Sequence, residues 1–332
     1  MSRVLWAVIV VLGVSCGSAG GRADAGDVAD ASVVDAGHVE DAGTVDAGEE
    51  VDAGLVDAGV NDDAGVIDAG VLDAGVPSSH GIGGITCTSS TAIDPTHTSC
   101  LSQVNGTSFK LTTPDGGSGP YTLGIYLHGD GAGAYNSNSA VKRMLPLADA
   151  KHVLQIAVLA PNGCAWWQKP DTTFDAQCNN TGAVQPDVDG LNAYALAGVI
   201  DAVRAAYDIR DDRVLYYSAS GGSIFLTHHF IPIYGSSYPG GMSINCGGEM
   251  PGDDEFTWPT DDATQRGSTQ MFFTYGDSDT VVSPAIVHEA ATGYAAKGFQ
   301  VDEKILVGVG HCGPGFDAHA RALEVWTQVL GN

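Results

Sequence analysis

Three side chains in the C-terminal part of the 332-residue chain have the types and the order that nucleophilic catalysis needs: Ser220, Asp279 and His311. A serine hydroxyl is a weak nucleophile near neutral pH. It needs an imidazole to take its proton, and that imidazole needs a carboxylate to fix its tautomer and stabilise the imidazolium. His311 would be the base and Asp279 its orienting partner, with Asp277 in the same turn as the alternative carboxylate. Attack on a carbonyl also needs preorganised donors for the oxyanion that forms. The Gly221 N–H beside the serine and the Asp130 N–H in the run His128-Gly129-Asp130 are candidates for that role.

The elements that would position these groups can be read around each of them. Val214 to Tyr217 is apolar and β-favouring, Ser218 to Gly222 are all small, and a helix is expected to begin near Ser223. A strand, a turn too tight for large side chains and a helix make a nucleophile elbow with Ser220 at its apex. Ser218 stands where the G-x-S-x-G pattern has its first Gly. A plain strand-to-helix connection is the structural alternative. Further strands are expected at Phe109 to Thr113, Tyr121 to Leu127, Val153 to Ala160, Gly241 to Cys246, Met271 to Tyr275 and Glu303 to Val309. Helical spacing marks Val141 to Ala150, Asp187 to Tyr207 with Asp189 as a cap, Ser283 to Lys297 and Phe316 to Leu330. Strands that alternate with helices and are nearly all apolar imply a mostly parallel sheet covered on both faces. Ligands of such sheets bind beyond the C-terminal strand ends, where Ser220, Asp279 and His311 all fall.

Other candidates surround this set. Trp166 and Trp167 lie in a loop closed by Cys164 and Cys178 and could stack on a substrate ring, or cover the core as a lid. His128 is expected to pack beneath the oxyanion loop. His228 and His229 are adjacent on a helix, where neighbours do not face the same way, which argues against a metal. His288-Glu289 begins an H-E-x-x-H pattern that Thr292 breaks. Six cysteines beyond Cys16 (Cys87, Cys100, Cys164, Cys178, Cys246 and Cys312) suit an exported protein with up to three disulfides. Six cysteines permit 15 pairings; loop length favours Cys87 with Cys100 and Cys164 with Cys178, leaving Cys246 with Cys312.

The N-terminal part reads differently. Residues 1–16 carry Arg3 and an apolar run too short to span a bilayer, as in a secretory signal. The ending Val14-Ser15-Cys16 resembles a lipoprotein signal, with Cys16 as the lipidated residue and Gly17 compatible with an outer-membrane or cell-surface address; cleavage without lipidation is the alternative. Residues 17–76 form a linker in which Asp-Ala-Gly recurs nine times. Residues 23–76 hold 15 acidic residues and no Lys or Arg. Such a segment has no aromatic residue, repels itself and cannot bury enough surface to order; about 54 residues would span roughly 40 Å as a coil. Residues 77–332 suit one catalytic domain. The net charge is −26, of which −13 belongs to residues 77–332, and no basic stripe exists, which disfavours nucleic acid as a partner. The membrane would be met only through the N-terminal lipid.

The motifs YLHGDG, YDIRDDRVLYYSASGG, YGDSDTVV and GVGHCGPG, in this order across about residues 105–330, resemble α/β-hydrolase esterases of the polyhydroxybutyrate depolymerase and feruloyl esterase type. The resemblance implies an α/β-hydrolase fold with a mostly parallel central sheet and helices on both faces. It implies Ser220, Asp279 and His311 as the triad, and no cofactor. The implied activity is cleavage of carboxylic esters, such as feruloyl or acetyl esters of polysaccharide or short polyesters. Gly313 departs from the Trp that often follows the histidine in that group. Cys312 next to His311 is similar to tannase-like esterases, with Cys246 as its partner here. The alternatives are a serine peptidase of the same fold and a surface binding module without turnover. Residues 161–186 and 247–268 would shape the pocket.

Overall fold

Runs of β-favouring residues that are buried on both faces can be stable only under cover from two sides, and they account for the centre of the fold. The computed structural model describes residues 77–252, 255–258 and 263–331. The expected signal, Cys16 and the Asp-Ala-Gly repeat lie outside the described residues.

Nine strands form one sheet: β1 Ser89–Ala92, β2 Thr98–Val104, β3 Thr107–Thr112, β4 Tyr121–Leu127, β5 Val153–Val158, β6 Ile209–Ala219, β7 Gly240–Asn245, β8 Gln270–Gly276 and β9 Gln300–Leu306. Their order is β1-β2-β3-β5-β4-β6-β7-β8-β9. The first three run antiparallel to their neighbours, and β5, β4, β6, β7, β8 and β9 are parallel. The helices are α1 Gly133–Asn136, α2 Ser139–Lys151, α3 Leu191–Ala206, α4 Gly221–Phe225, α5 Ile231–Tyr234, α6 Ala263–Ser268, α7 Pro284–Ala296 and α8 Ala318–Leu330. A π-helical turn, Leu226–Phe230, joins α4 to α5.

Alternation along the central strands divides the core in two. Leu123, Ile125 and Leu127 of β4 pack with Leu196 and Ile200 of α3, Phe225 of α4 and Tyr294 of α7. Tyr126 and Tyr217 face the other way, among Met144 and Leu145 of α2 and Trp326 of α8. Trp326 lies across the middle of β4, where position 124 must be glycine. A Cβ there would sit 2.6 Å from Trp326 Cη2 and 2.8 Å from Val153 Cγ1.

The boundaries of α3 and β9 differ from the sequence expectation for identifiable reasons. Helix α3 begins at Leu191 rather than Asp187, because the Asp187 carboxylate accepts from the Leu191 and Asn192 amides (3.0 and 2.7 Å) and so caps the helix from outside it. Asp189, the expected cap, instead pairs with Lys169 at 2.7 Å, and Val188 is exposed. Strand β9 lies three residues earlier than expected, which frees residues 307–310 to form the turn that leads into His311. The outer strands β1 and β2 were not among the expected strands. β1 is exposed throughout and β2 is polar, so neither carries a hydrophobic run. Buried His97 ties this edge to α2, with Nδ1 at 2.9 Å from Asp94 and Nε2 at 2.9 Å from Asp149.

Adding one methyl group under Trp326 should therefore be costly. Gly124→Ala is expected to lower unfolding free energy by about 1–3 kcal/mol, measured as a shift in urea midpoint at unchanged slope. Trimming the partner in Gly124→Ala/Trp326→Leu should recover part of the loss relative to Trp326→Leu alone.

Candidate active site

The strand-to-helix turn after β6 forces one residue into a conformation that side chains avoid. Ser220 has φ 51° and ψ −123°, between β6 and α4. Its N–H donates to Asn245 O (2.9 Å), and its own carbonyl accepts from the Ser223 and Ile224 amides (2.8 and 3.1 Å). Beneath it the Ser218 and Ser223 hydroxyls lie 3.0 Å apart, Ser223 Oγ donates to Asn245 O (2.9 Å), and Asn245 Nδ2 donates to Ser218 O (2.9 Å). A tight strand-to-helix elbow with Ser220 at its apex therefore follows the central parallel strand β6. The chain has the α/β-hydrolase fold.

The structure brings the three expected side chains together. Ser220 Oγ lies 2.7 Å from His311 Nε2, and His311 Nδ1 lies 2.8 Å from Asp279 Oδ2. The other oxygen of Asp279 accepts from the Val281 and Val282 amides (2.8 and 3.0 Å). These donors hold the carboxylate so that it accepts a hydrogen bond from Nδ1–H, which leaves the Nε2 lone pair towards the serine. Asp277 is used differently: its Oδ1 accepts from Gly308 N (2.7 Å) and Ser278 Oγ (3.0 Å), which fixes the turn before His311. An imidazole so oriented can accept the serine proton as the hydroxyl attacks.

The loop after β4 carries Asp130, a candidate oxyanion donor, against the elbow. A Cβ on Gly129 would come within 3.2 Å of Ser220 Cβ, and one on Gly222 within 2.5 Å of His128 O, so the loop crosses directly over the elbow. The Gly221 amide stands at the first helical position of α4, where an N–H has no intrahelical acceptor. The Asp130 carboxylate accepts from Trp167 Nε1 at 2.9 Å and lies against Gly221, in space that a Cβ would take. Crowding by the surrounding protein raises its pKa, against the Trp167 hydrogen bond and nearby His311.

His128 is buried beneath this loop. Its Nε2 accepts from Ala160 N (3.0 Å), which assigns the proton to Nδ1, and Nδ1–H donates to Gly129 O (2.8 Å). Burial depresses its pKa to about 4.

Trp166 does not face a substrate. It is fully buried and stacks on Phe225, with ring centroids 4.6 Å apart. Trp167 alone of the pair remains half-buried beside Asp130. Two asparagines with no pattern in the sequence hold this loop. Asn162 Nδ2 donates to Ala165 O and Gln168 O (2.8 and 3.0 Å), and Asn192 Nδ2 donates to Trp166 O and Gln168 O (both 2.7 Å). The disulfides join Cys87 to Cys100, Cys164 to Cys178 and Cys246 to Cys312, the pairing that loop length favoured. The third fastens the residue after His311 to the end of β7, next to the elbow. His228 and His229 fall in the π-helical turn, where their rings do meet edge to face at 4.5 Å. Among the described residues no group of His, Cys, Asp or Glu is arranged to hold a metal ion, and no helix is long and apolar enough to cross a membrane.

No protein-family model and no curated protein matches the chain. Among solved structures, acyl-protein thioesterase 2 of Zea mays is 17% identical with a TM-score of 0.49, over 67% of this chain and 99% of that one. A thermostable esterase is 17% identical with a TM-score of 0.44, over 71% of this chain and 60% of that one. Esterase PE8 is 15% identical with a TM-score of 0.42, over 69% and 99%. Strand order and elbow establish the fold independently of these likenesses.

Neutral, buried His128 makes stability depend on pH. Its folded pKa lies below the unfolded value, so the unfolded chain binds more protons in between, and stability is lost as pH falls from about 6.5 towards about 4. The loss from this residue should be about 3 kcal/mol. Denaturation series across that range should show a steeper fall for the native chain than for His128→Asn.

Proposed function

We propose that the chain is a serine carboxylic-ester hydrolase that works through an acyl-enzyme. The observation that carries this reading is the continuous relay from Ser220 Oγ to His311 Nε2 (2.7 Å) and from His311 Nδ1 to Asp279 (2.8 Å), and we assign the Gly221 and Asp130 amides as the oxyanion donors. In the first half-reaction Ser220 attacks the ester carbonyl while His311 takes its proton. The two amides receive the oxyanion, and the imidazolium returns the proton to the leaving alcohol. Water then repeats the sequence on the acyl-serine. This chemistry calls for no metal or organic cofactor.

Feruloyl or acetyl esters of polysaccharide, or short polyesters, are the substrates we propose, from the resemblance of the four motifs. Export is part of the same reading. A secretory signal with Cys16 lipidated and an acidic tether would hold residues 77–332 clear of an outer membrane or cell surface, and three disulfides suit such an oxidising compartment.

Hydrolysis of p-nitrophenyl acetate, of longer acyl chains and of methyl ferulate by the oxidised protein tests the reading. Turnover is expected, with Ser220→Ala lowering kcat by at least about 10⁴-fold at unchanged circular dichroism. Equal turnover by Ser220→Ala, or none by the folded native chain, would contradict it.

A further inference from the structure

A carboxylate lies where hydrolysis of a neutral ester has no use for one. The Asp130 side chain rests against Gly221, the residue after the nucleophile, in the volume that any Cβ at position 221 would fill. Its Oδ2 is held by Trp167 Nε1–H at 2.9 Å, and its electrostatic neighbours are Trp167 and His311. The same residue is our candidate second oxyanion donor. An ionised carboxylate beside Gly221 raises the barrier for an uncharged ester, because it faces the negative charge that develops there. The cost is offset if the substrate brings a positive charge to the same place. Trp167 supports that arrangement. Its N–H is occupied by Asp130, while the indole remains half-buried at the surface of a loop tied down by Cys164–Cys178, Asn162 and Asn192. A fixed indole beside a carboxylate attracts alkylammonium groups through the ring quadrupole and the charge together.

We infer that Asp130 and Trp167 form a subsite beside Ser220 for a cationic group of the alkylammonium class on the ester substrate; the inference rests on the esterase reading and narrows its substrate class.

The test compares charged and neutral isosteres on each side of the ester bond. Acetylcholine is set against 3,3-dimethylbutyl acetate for the alcohol side. The p-nitrophenyl esters of trimethylammonioacetate and of 3,3-dimethylbutanoate serve for the acyl side. Asp130→Asn removes the charge and keeps an oxygen for Trp167 Nε1–H. Because intrinsic reactivity within a pair is common to both proteins, the quantity read is the cationic-to-neutral ratio of kcat/KM in the native chain divided by that ratio in Asp130→Asn. A drop of about tenfold in the variant for at least one pair is expected. Equal ratios for both pairs would overturn the subsite while leaving the esterase reading intact. If the native chain turns over no ester, tetramethylammonium binding decides the matter, followed by tryptophan fluorescence in Ser220→Ala and in Ser220→Ala/Asp130→Asn. Saturable binding lost on removing the Asp130 charge would uphold the subsite without the esterase. Absence of binding, or equal binding by both proteins, would overturn the subsite.

Discussion

Ser220 is held with φ 51° and ψ −123°, a conformation that costs an L-residue about 1–3 kcal/mol and persists only where its surroundings over-determine it. Here they do so from three sides. β7 supplies the Asn245 carbonyl for the Ser220 amide, α4 closes its first turn on the Ser220 carbonyl, and the buried Ser218, Ser223 and Asn245 side chains lock strand to helix from below. The small residues of the elbow follow from the same constraint, since the His128–Asp130 loop crosses it at contact distance.

The rest of the site depends on neighbouring strand ends arriving in register with that elbow. β8 ends in the turn bearing Asp277 and Asp279, and β9 ends in the turn bearing His311. Each turn is pinned by backbone amides on a carboxylate: Gly308 N on Asp277, and Val281 N with Val282 N on Asp279. The Cys246–Cys312 bond adds a covalent tie between the histidine turn and the strand beside the elbow. Its loop of 66 residues corresponds to about 4 kcal/mol of unfolded-chain entropy in the polymer model. The imidazole can then rely on a rigid frame rather than on its own hydrogen bonds for position.

Much of this was legible in the sequence because parallel-sheet chemistry sits at strand ends, and strand ends announce themselves. Val214 to Tyr217 followed by five small residues marks the elbow, and Gly276 and Gly310 mark the turns that carry the acid and the histidine. What the sequence left open turned on contacts distant along the chain. Asp277 and Asp279 share one turn, and only the position of β9 decides which of them faces His311. Trp166 and Trp167 are adjacent, and their opposite fates depend on Phe225 and Asp130, 59 and 37 residues away respectively. Asp187 outcompetes Asp189 as a cap because its carboxylate meets two amides of α3, which no local pattern shows. Strands β1 and β2 escaped because edge strands that are exposed or polar lack the hydrophobic run by which strands are recognised.

In the proposed mechanism His311 activates the Ser220 hydroxyl, and that activation can be read covalently without knowing the substrate. The full-length oxidised protein is treated with a fluorophosphonate ester, and the adduct is mapped by mass spectrometry of its peptides. The triad predicts a single phosphonylated residue, Ser220, with labelling lost in His311→Ala. A folded protein that takes no label, or that takes it at another residue, would contradict the claim that Ser220 is the nucleophile.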